Sequence, residues 1–311
     1  MNAQNYIQVT EELQETARIN ASFPFRQLLP YLEDAFQRFI LPYVGEPLHD
    51  RLSSLLPGEG SEREQEARRL IARALGPIAL ALASPELGVV IGDSGHLVKR
   101  NGDFAAANLD KIERAERSLR DRGFLSVEIL IGCLRACETS FPEWKESDYR
   151  QRIARSLFLR DGREMARCAA AGIVDHPLQS FYCLVPMVET LQGGLRVRIG
   201  AALYDRLSDG RKTYTLDPAS KEMVELIKEW IAVKLETAHL GRPDEKPEPT
   251  VPLAFTPRFR PMSGQSEGWL LDHLAYLDTR LDRLATELGG SEGATGYTSD
   301  MNSKDLKIFV L

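Results

Sequence analysis

The segment Leu48-His49-Asp50-Arg51-Leu52 decides the fold, because it returns later in the chain as Leu203-Tyr204-Asp205-Arg206-Leu207. Each copy follows one helix-like run and precedes another, which spans residues 67–82 in the first half and 223–240 in the second. The separation between equivalent positions changes by a single residue over this distance. The sequence therefore predicts a mainly α protein with two tandem, related helical-bundle domains that arose by internal duplication.

The two halves differ in what lies between their long helices. In the first half, apolar β-branched residues flank the turn-forming segment Gly92-Asp93-Ser94-Gly95, which predicts a small β-hairpin near 88–100. In the second half, repeated prolines predict an extended Pro-rich arm near 241–268. The predicted domains are 1–147, which contains the hairpin, and 148–289, which contains the arm.

The end of the chain has a different composition. Residues 290–311 are predicted to form a flexible linker, rich in Gly, Ser and Thr, and a strand-like C-terminal tail at 306–311. This tail could fold back onto its own chain. It could instead add a strand to the sheet of a neighbouring molecule.

Several helix starts carry capping signals. Ser61-Glu62-Arg63-Glu64 and Asp161-Gly162-Arg163-Glu164 have the spacing of a capping box, and Asp217-Pro218 combines an N-cap with a first-turn proline. Thr10 is a candidate N-cap for a helix over 11–18. These signals predict helices that begin at the same relative places in both halves.

Other signals predict breaks or unusual packing. Pro77 should kink or split the helix that contains it, and Gly123 and Gly132 should weaken or break the long helix predicted over 103–136. The last helix carries leucines at a 4-3-4-3-4 spacing, which fits either a short coiled-coil seam or an amphipathic helix packed on its own domain. These leucines are Leu270, Leu274, Leu277, Leu281, Leu284 and Leu288.

The composition excludes some classes of protein. An apolar content of 43% supplies a real core, so the sequence is not that of a disordered chain. The net charge of −6 argues against a dedicated nucleic-acid binder, which normally has a basic surface. We expect no secretory leader and no membrane span, because no basic n-region and no apolar run of about 18 residues is present.

No motif in the sequence identifies an enzyme. Gly-Asp-Ser-Gly at 92–95 matches the nucleophile tetrapeptide of chymotrypsin-like proteases, but that chemistry needs a β-barrel with a histidine base and an aspartate. Cys133 and Cys137 lie one helical turn apart without further ligands nearby, so buried thiols are a better interpretation than a zinc site. We therefore predict no catalytic residue, no cofactor and no metal.

The candidate partner-binding residues lie in the hairpin, the arm and the tail. Arg258-Phe259-Arg260, with Phe255 nearby, could clamp nucleic acid by charge and stacking, or could contact a protein or the adjacent domain. The low basic content favours the protein contact. The complete set is Asp93, Ser94, His96, Phe255, Arg258, Phe259, Arg260, Ile308, Phe309 and Val310.

Several short segments are distinctive by the order in which they follow one another along the chain. The segments are Thr10-Glu11-Glu12-Leu13, Ile19-Asn20-Ala21-Ser22-Phe23, Leu29-Pro30-Tyr31-Leu32, Gly45-Glu46-Pro47-Leu48, Ile91-Gly92-Asp93-Ser94-Gly95, Phe141-Pro142-Glu143-Trp144 and Lys307-Ile308-Phe309-Val310-Leu311. In this order they resemble an uncharacterised protein family of Bacteroidetes phages and prophages. The resemblance implies a phage origin and assigns no catalytic residues.

The plan of each half is also similar to that of phage head–tail connector (adaptor) proteins, which are helical bundles with a protruding hairpin or loop. By this analogy we expect a virion structural protein that binds the portal or neighbouring subunits and forms a homo-oligomer on assembly. It would act in the host bacterial cytoplasm and in the assembled virion, without membrane or sequence-specific nucleic-acid binding. The alternative is a phage-encoded enzyme or DNA-contacting accessory protein without a recognisable motif.

Overall fold

The fold is mainly helical, as the apolar spacing predicts. The computed structural model describes residues 3–17, 25–56, 58–87, 89–92, 95–98, 109–168, 173–240, 259–260 and 267–289. These residues belong to two compact units, and the break along the chain lies between Ile153 and Ala154. Among the described helices, none combines the length and the apolar content that a membrane span needs.

Unit 1 is built around two long helices, α5 and α6, which pack on each other, and α2 packs on α5. Short 3₁₀ turns at Ala3–Asn5, Phe25–Leu28 and Pro142–Glu146 complete it. Its helices are α1 (Thr10–Thr16), α2 (Leu29–Phe39), α3 (Leu41–Val44), α4 (Glu46–Ser54), α5 (Glu62–Leu87), α6 (Leu109–Ala136) and α7 (Asp148–Ile153).

Two of the predicted interruptions do not occur: α5 is not split at Pro77, and α6 is not broken at its glycines. Helix α5 continues through Pro77, and α6 continues through Gly123 and Gly132. A Cβ atom added at Gly123 would lie 2.4 Å from Ile78 Cγ1, so the glycine permits a close approach of α5 and α6. Burial of the facing apolar side chains outweighs the local cost of proline and glycine in a helix.

A two-stranded ladder lies between α5 and α6 in the sequence, where the hairpin is predicted. Strand β1 (Val89–Gly92) pairs antiparallel with β2 (Gly95–Val98), and Val89 lies opposite Val98. The register ends with Gly92 opposite Gly95. Unit 1 therefore has a short antiparallel strand pair between its two longest helices in the sequence.

In the described part of unit 2, five helices of different length are accompanied by a second short strand pair. The first five leucines of the predicted seam, from Leu270 to Leu284, are buried within this unit, where α12 packs on α11 and also contacts α9. The seam is therefore part of the unit's own core. The elements are α8 (Gly162–Met165), β3 (Ile173–Val174), α9 (Pro177–Ile199), α10 (Ala201–Thr213), α11 (Pro218–Leu240), β4 (Phe259–Arg260) and α12 (Glu267–Glu287).

Most of the predicted caps form. The Ser61 backbone N–H donates to the Glu64 carboxylate at 2.7 Å. In return, the Glu64 backbone N–H donates to the Ser61 hydroxyl at 3.4 Å. In unit 2 the Glu164 N–H donates to Asp161 at 2.8 Å, and the Ser220 N–H donates to Asp217 at 2.9 Å. The predicted Thr10 cap is wrong, because α1 begins at Thr10 itself and no side chain caps it.

The two units share local features around the repeated segment. Gly45 precedes α4 with φ 82° and ψ 151°, and Gly200 precedes α10 with φ 84° and ψ 140°. Both glycines thus adopt a backbone conformation that side chains strongly disfavour. The aromatic pair Phe158–Tyr204 in unit 2, at 5.2 Å between centroids, has a parallel in the contact of Tyr6 with His49 in unit 1, at 5.7 Å.

Candidate functional site

The structure describes only three of the predicted partner-binding residues. His96 lies in β2 opposite Ile91, and Phe259 and Arg260 form β4. The remaining candidates lie outside the described residues, so their predicted roles stay predictions. These are Asp93, Ser94, Phe255, Arg258, Ile308, Phe309 and Val310.

Strand β4 joins the arm to its own unit. Phe259 lies opposite Val174 and Arg260 opposite Ile173 in an antiparallel pairing with β3. At these two positions the arm therefore pairs with another segment of its own unit. The predicted contact of the arm with a partner stays a prediction.

Arg51 of the repeated segment holds three parts of unit 1 together. Its guanidinium forms an ion pair with Glu64 at 2.7 Å and with Glu143 at 3.1 Å, and donates to the Ser140 carbonyl at 3.2 Å. Hydrogen bonds from Ser61, supported by Arg51, lower the pKa of Glu64 to about 2. In unit 2 the matching residue, Arg206, donates to the Leu288 carbonyl at 2.9 Å, just beyond α12.

An open cleft of about 420 Å³ lies in unit 1 between α1, the loop after α4, and the first half of α5. Glu12 and Glu15 of α1 and Glu59 of the loop contribute carboxylates, while Arg69 and Arg73 of α5 contribute guanidinium groups. The cleft therefore has carboxylates and cations on different elements. Its apolar lining includes Leu56, which is 64% exposed, and Ala72.

Arg68 lines this cleft and binds the N-terminal segment, which also lines it. It donates to the Asn5 carbonyl at 3.1 Å and to the Leu52 carbonyl, and its guanidinium lies 5.6 Å from the centroid of the Tyr6 ring. The Tyr6 hydroxyl in turn lies 3.0 Å from His49 Nδ1 in the buried interior. The N-terminal segment is thus held by polar contacts that fix this wall of the cleft.

The corresponding region of unit 2 is filled by its own side chains. Arg211 and Lys228 both form ion pairs with Glu164, at 2.8 and 2.7 Å, and Lys228 also pairs with Glu225 at 2.6 Å. Burial alone would raise the pKa of Glu164, but hydrogen bonds from Lys228 and the Arg160 backbone, with the Arg211 charge, lower it below its usual value. This carboxylate therefore carries its charge in a largely closed site.

A row of aromatic rings lies on α12 of unit 2. Trp269 and His273 stack with their centroids 5.0 Å apart and their planes 6° apart, and His273 and Tyr276 follow at 6.0 Å. Trp269 is 41% exposed and Tyr276 is 55% exposed, while His273 is paired with Glu229 at 3.1 Å. We refer to Trp269, His273 and Tyr276 as the α12 aromatic ladder.

Burial shifts the pKa of several cysteine and histidine side chains among the described residues. Burial raises the pKa of the Cys168 thiol to about 12 and also raises that of Cys133, so neither is an activated thiolate. Burial lowers the pKa of His49, which is enclosed against Tyr6 and Phe36. Within the described part of the chain, no group of three or more His, Cys, Asp or Glu side chains is arranged to hold a metal ion.

Comparison with known proteins identifies a partial likeness. Residues 40–153 match a family of unknown function, DUF6712, over a stretch that includes α5 and most of unit 1. This part of the chain is therefore similar to a family of unknown function, and the phage origin stays a prediction. No curated protein and no solved structure matches the chain.

The sequence interpretation did not identify the cleft or the α12 aromatic ladder. The ladder has a sequence signal, since Trp269, His273 and Tyr276 recur at helical spacing on α12 beside its stripe of leucines. The sequence signal of the cleft is weaker, because it consists only of Leu56 and Ala72 at the positions that match Arg211 and Lys228 of unit 2. That difference becomes visible only when the capping positions of the two units are aligned.

Proposed function

We propose that this protein is a phage structural protein of the head–tail connector type, which acts through protein–protein contacts. The observation that carries the proposal is the α12 aromatic ladder. Exposed tryptophan and tyrosine side chains are enriched among the residues that dominate binding energy at protein interfaces. The connector assignment rests on the resemblance of the sequence to a phage family and on the analogy of plan.

We also infer that the two units descend from a tandem duplication. Support comes from the matching conformations of Gly45 and Gly200 and from the arginine of each repeated segment. Arg51 and Arg206 each donate to a carbonyl that follows the last long helix of the unit. The units differ in the structures between their last two long helices, which in a connector would contact different neighbours.

The test uses the full chain and the portal protein encoded in the same genome. We expect a ring-shaped complex by electron microscopy, and we expect the double variant Trp269→Ala, Tyr276→Ala to weaken binding by about 30-fold or more. Tyr214→Ala is the matched control, because Tyr214 is 76% exposed on the same unit but lies outside the ladder. Equal binding by the double variant and the control would overturn the role of the ladder.

The tail is tested separately. A chain that lacks residues 306–311 should assemble poorly, and a chain of full length with Ile308→Asn, Phe309→Asn and Val310→Asn should show the same defect. Normal assembly of both variants would remove the tail from the proposal. Steeply salt-dependent DNA binding by the full chain, without portal binding, would instead favour the DNA-accessory alternative.

A further inference from the structure

The carboxylate at the base of the unit 1 cleft has a counterpart in unit 2 that is fully paired. Glu12 accepts a hydrogen bond from the Gln8 N–H at 2.5 Å, and Glu164 accepts one from the Arg160 N–H at 2.6 Å. Each carboxylate thus bonds the backbone of the residue four positions before it. Glu164 additionally binds Arg211 and Lys228, whereas no ion pair joins Glu12 to any residue in the described part of the chain.

The two cations of unit 2 correspond to apolar residues in unit 1. Leu56 lies as many residues after Gly45 as Arg211 lies after Gly200, and Ala72 lies as many residues after the cap Ser61 as Lys228 lies after the cap Asp217. Leu56 and Ala72 both line the cleft. By these counts, the positions that carry Arg211 and Lys228 in unit 2 carry uncharged residues beside an open cleft in unit 1.

We propose that the unit 1 cleft binds a lysine or arginine side chain of a partner protein. Glu12 would pair with the cationic group, with Glu15 and Glu59 nearby, and the aliphatic stem would lie against Leu56 and Ala72. Long basic side chains commonly bury an apolar stem in this way while their charge is paired. The carboxylates disfavour a nucleic-acid phosphate in the same place.

The arginines around the cleft set limits on this binding. Arg68 is directed to the carbonyls of Asn5 and Leu52, and Arg69 is paired with Glu66 at 2.6 Å. Arg73 is exposed and forms no ion pair with a described residue, so it would repel an incoming cation. The variant Arg73→Ala should therefore strengthen the binding of a basic ligand and weaken the binding of an acidic one.

The first experiment places the cation within the chain. Ala72→Lys is compared with Ala72→Met, because methionine has a similar aliphatic stem without the charge. Each of the two substitutions is made once with Glu12 intact and once together with Glu12→Gln. We expect the lysine variant to melt about 2 °C above the methionine variant, and we expect this gain to disappear with Glu12→Gln. A lysine variant that melts at or below the methionine variant in both backgrounds would contradict the inference.

The second experiment uses an added ligand and the full chain. The probe is the peptide acetyl-Ala-Lys-Ala-Lys-Ala-amide, and its control is the same peptide with both lysines acetylated. We expect chemical-shift changes at the amides of Glu12, Glu15 and Ala72, with a dissociation constant on the order of 1 mM that is about fivefold weaker for the acetylated peptide. Ala72→Lys should abolish these changes, because it fills the cleft.

Arg73→Ala decides the sign of the ligand charge. Binding of the lysine peptide should tighten about threefold in this variant. Weaker binding, or equal binding of the lysine and acetyl-lysine peptides, would overturn the inference. The result is independent of the connector role, since loss of portal binding through the α12 aromatic ladder would leave the cleft measurements unchanged.

Discussion

Unit 1 and unit 2 use the same local devices around their repeated segments but differ in how completely the surrounding space is filled. Both begin the repeated helix with a glycine at positive φ, and both direct the repeated arginine to a carbonyl beyond the last long helix. Unit 2 then fills the region above Glu164 with Arg211 and Lys228, whereas unit 1 leaves an open cleft above Glu12. The glycines and arginines that the units share therefore stabilise each unit, whereas the open cleft of unit 1 is accessible to a partner.

The largest expected effect concerns the shared glycines. Gly45→Ala and Gly200→Ala should each destabilise the protein by about 1–3 kcal/mol, because both positions require a backbone conformation that alanine disfavours. Chemical denaturation measures the loss. Gly193→Ala is the control, since Gly193 lies within α9 with open space around its Cα, and a gain of about 0.5–1 kcal/mol is expected there. A tolerated substitution at either Gly45 or Gly200 would break the proposed equivalence of the units.

The repeated arginines should differ in strength. Arg51→Ala should cost about 1–3 kcal/mol, because Glu64 is buried and would lose its charged partner. Arg206→Ala should cost less than about 0.5 kcal/mol, because Arg206 is exposed and a water molecule can replace its contact with the Leu288 carbonyl. Urea denaturation of the two variants measures this difference, and equal costs would show that the arginines have equivalent roles.

The pH dependence of stability should reflect His49 of unit 1. Burial lowers the pKa of His49 below its ordinary value of 6.5, so the unfolded chain takes up a proton before the folded protein does. The stability from this source is complete above about pH 6.5 and is lost as the pH falls toward the lowered pKa, by at most about 1.4 kcal/mol per pH unit.

Urea midpoints between pH 8 and pH 5 measure this loss. His49→Phe should flatten the dependence, because Phe carries no titrating group and unit 2 has an aromatic residue, Tyr204, at the matching position. An unchanged slope in this variant would assign the pH dependence to another group.

The smallest expected effect concerns the helix starts. Asp161→Ala should cost about 1 kcal/mol, because Asp161 accepts the Glu164 N–H at the start of α8. Thr10→Ala should be nearly neutral, since the Thr10 side chain does not cap α1. Thermal denaturation of the pair distinguishes a cap that forms from one that only the sequence pattern predicts.

The elements that were predictable from sequence are those fixed by local chemistry. Ser61 with Glu64 and Asp161 with Glu164 form the hydrogen bonds that their spacing predicts, and the regularly spaced leucines from Leu270 to Leu284 are buried on one face of α12. The helix starts follow from such signals because each involves only a few neighbouring residues.

The errors and omissions involve contacts between distant residues. Gly123 does not break α6, because the absence of a side chain is what allows Ile78 of α5 to approach. The cleft was not predicted, because it depends on the meeting of α1, α5 and the loop at Leu56. Local propensity carries no information about which side chains of distant elements fill a shared space.

Hydrogen–deuterium exchange of the full chain, alone and with the portal protein, most directly tests whether the repeated helices are scaffold and the features that differ between units are contact surfaces. We predict slower exchange on binding in α12 near Trp269 and Tyr276, in β1–β2, and at the cleft helices α1 and α5. Exchange in the repeated helices α4 and α10 should not change. Protection centred on α4 and α10, or no change at any of these segments, would contradict this division of roles.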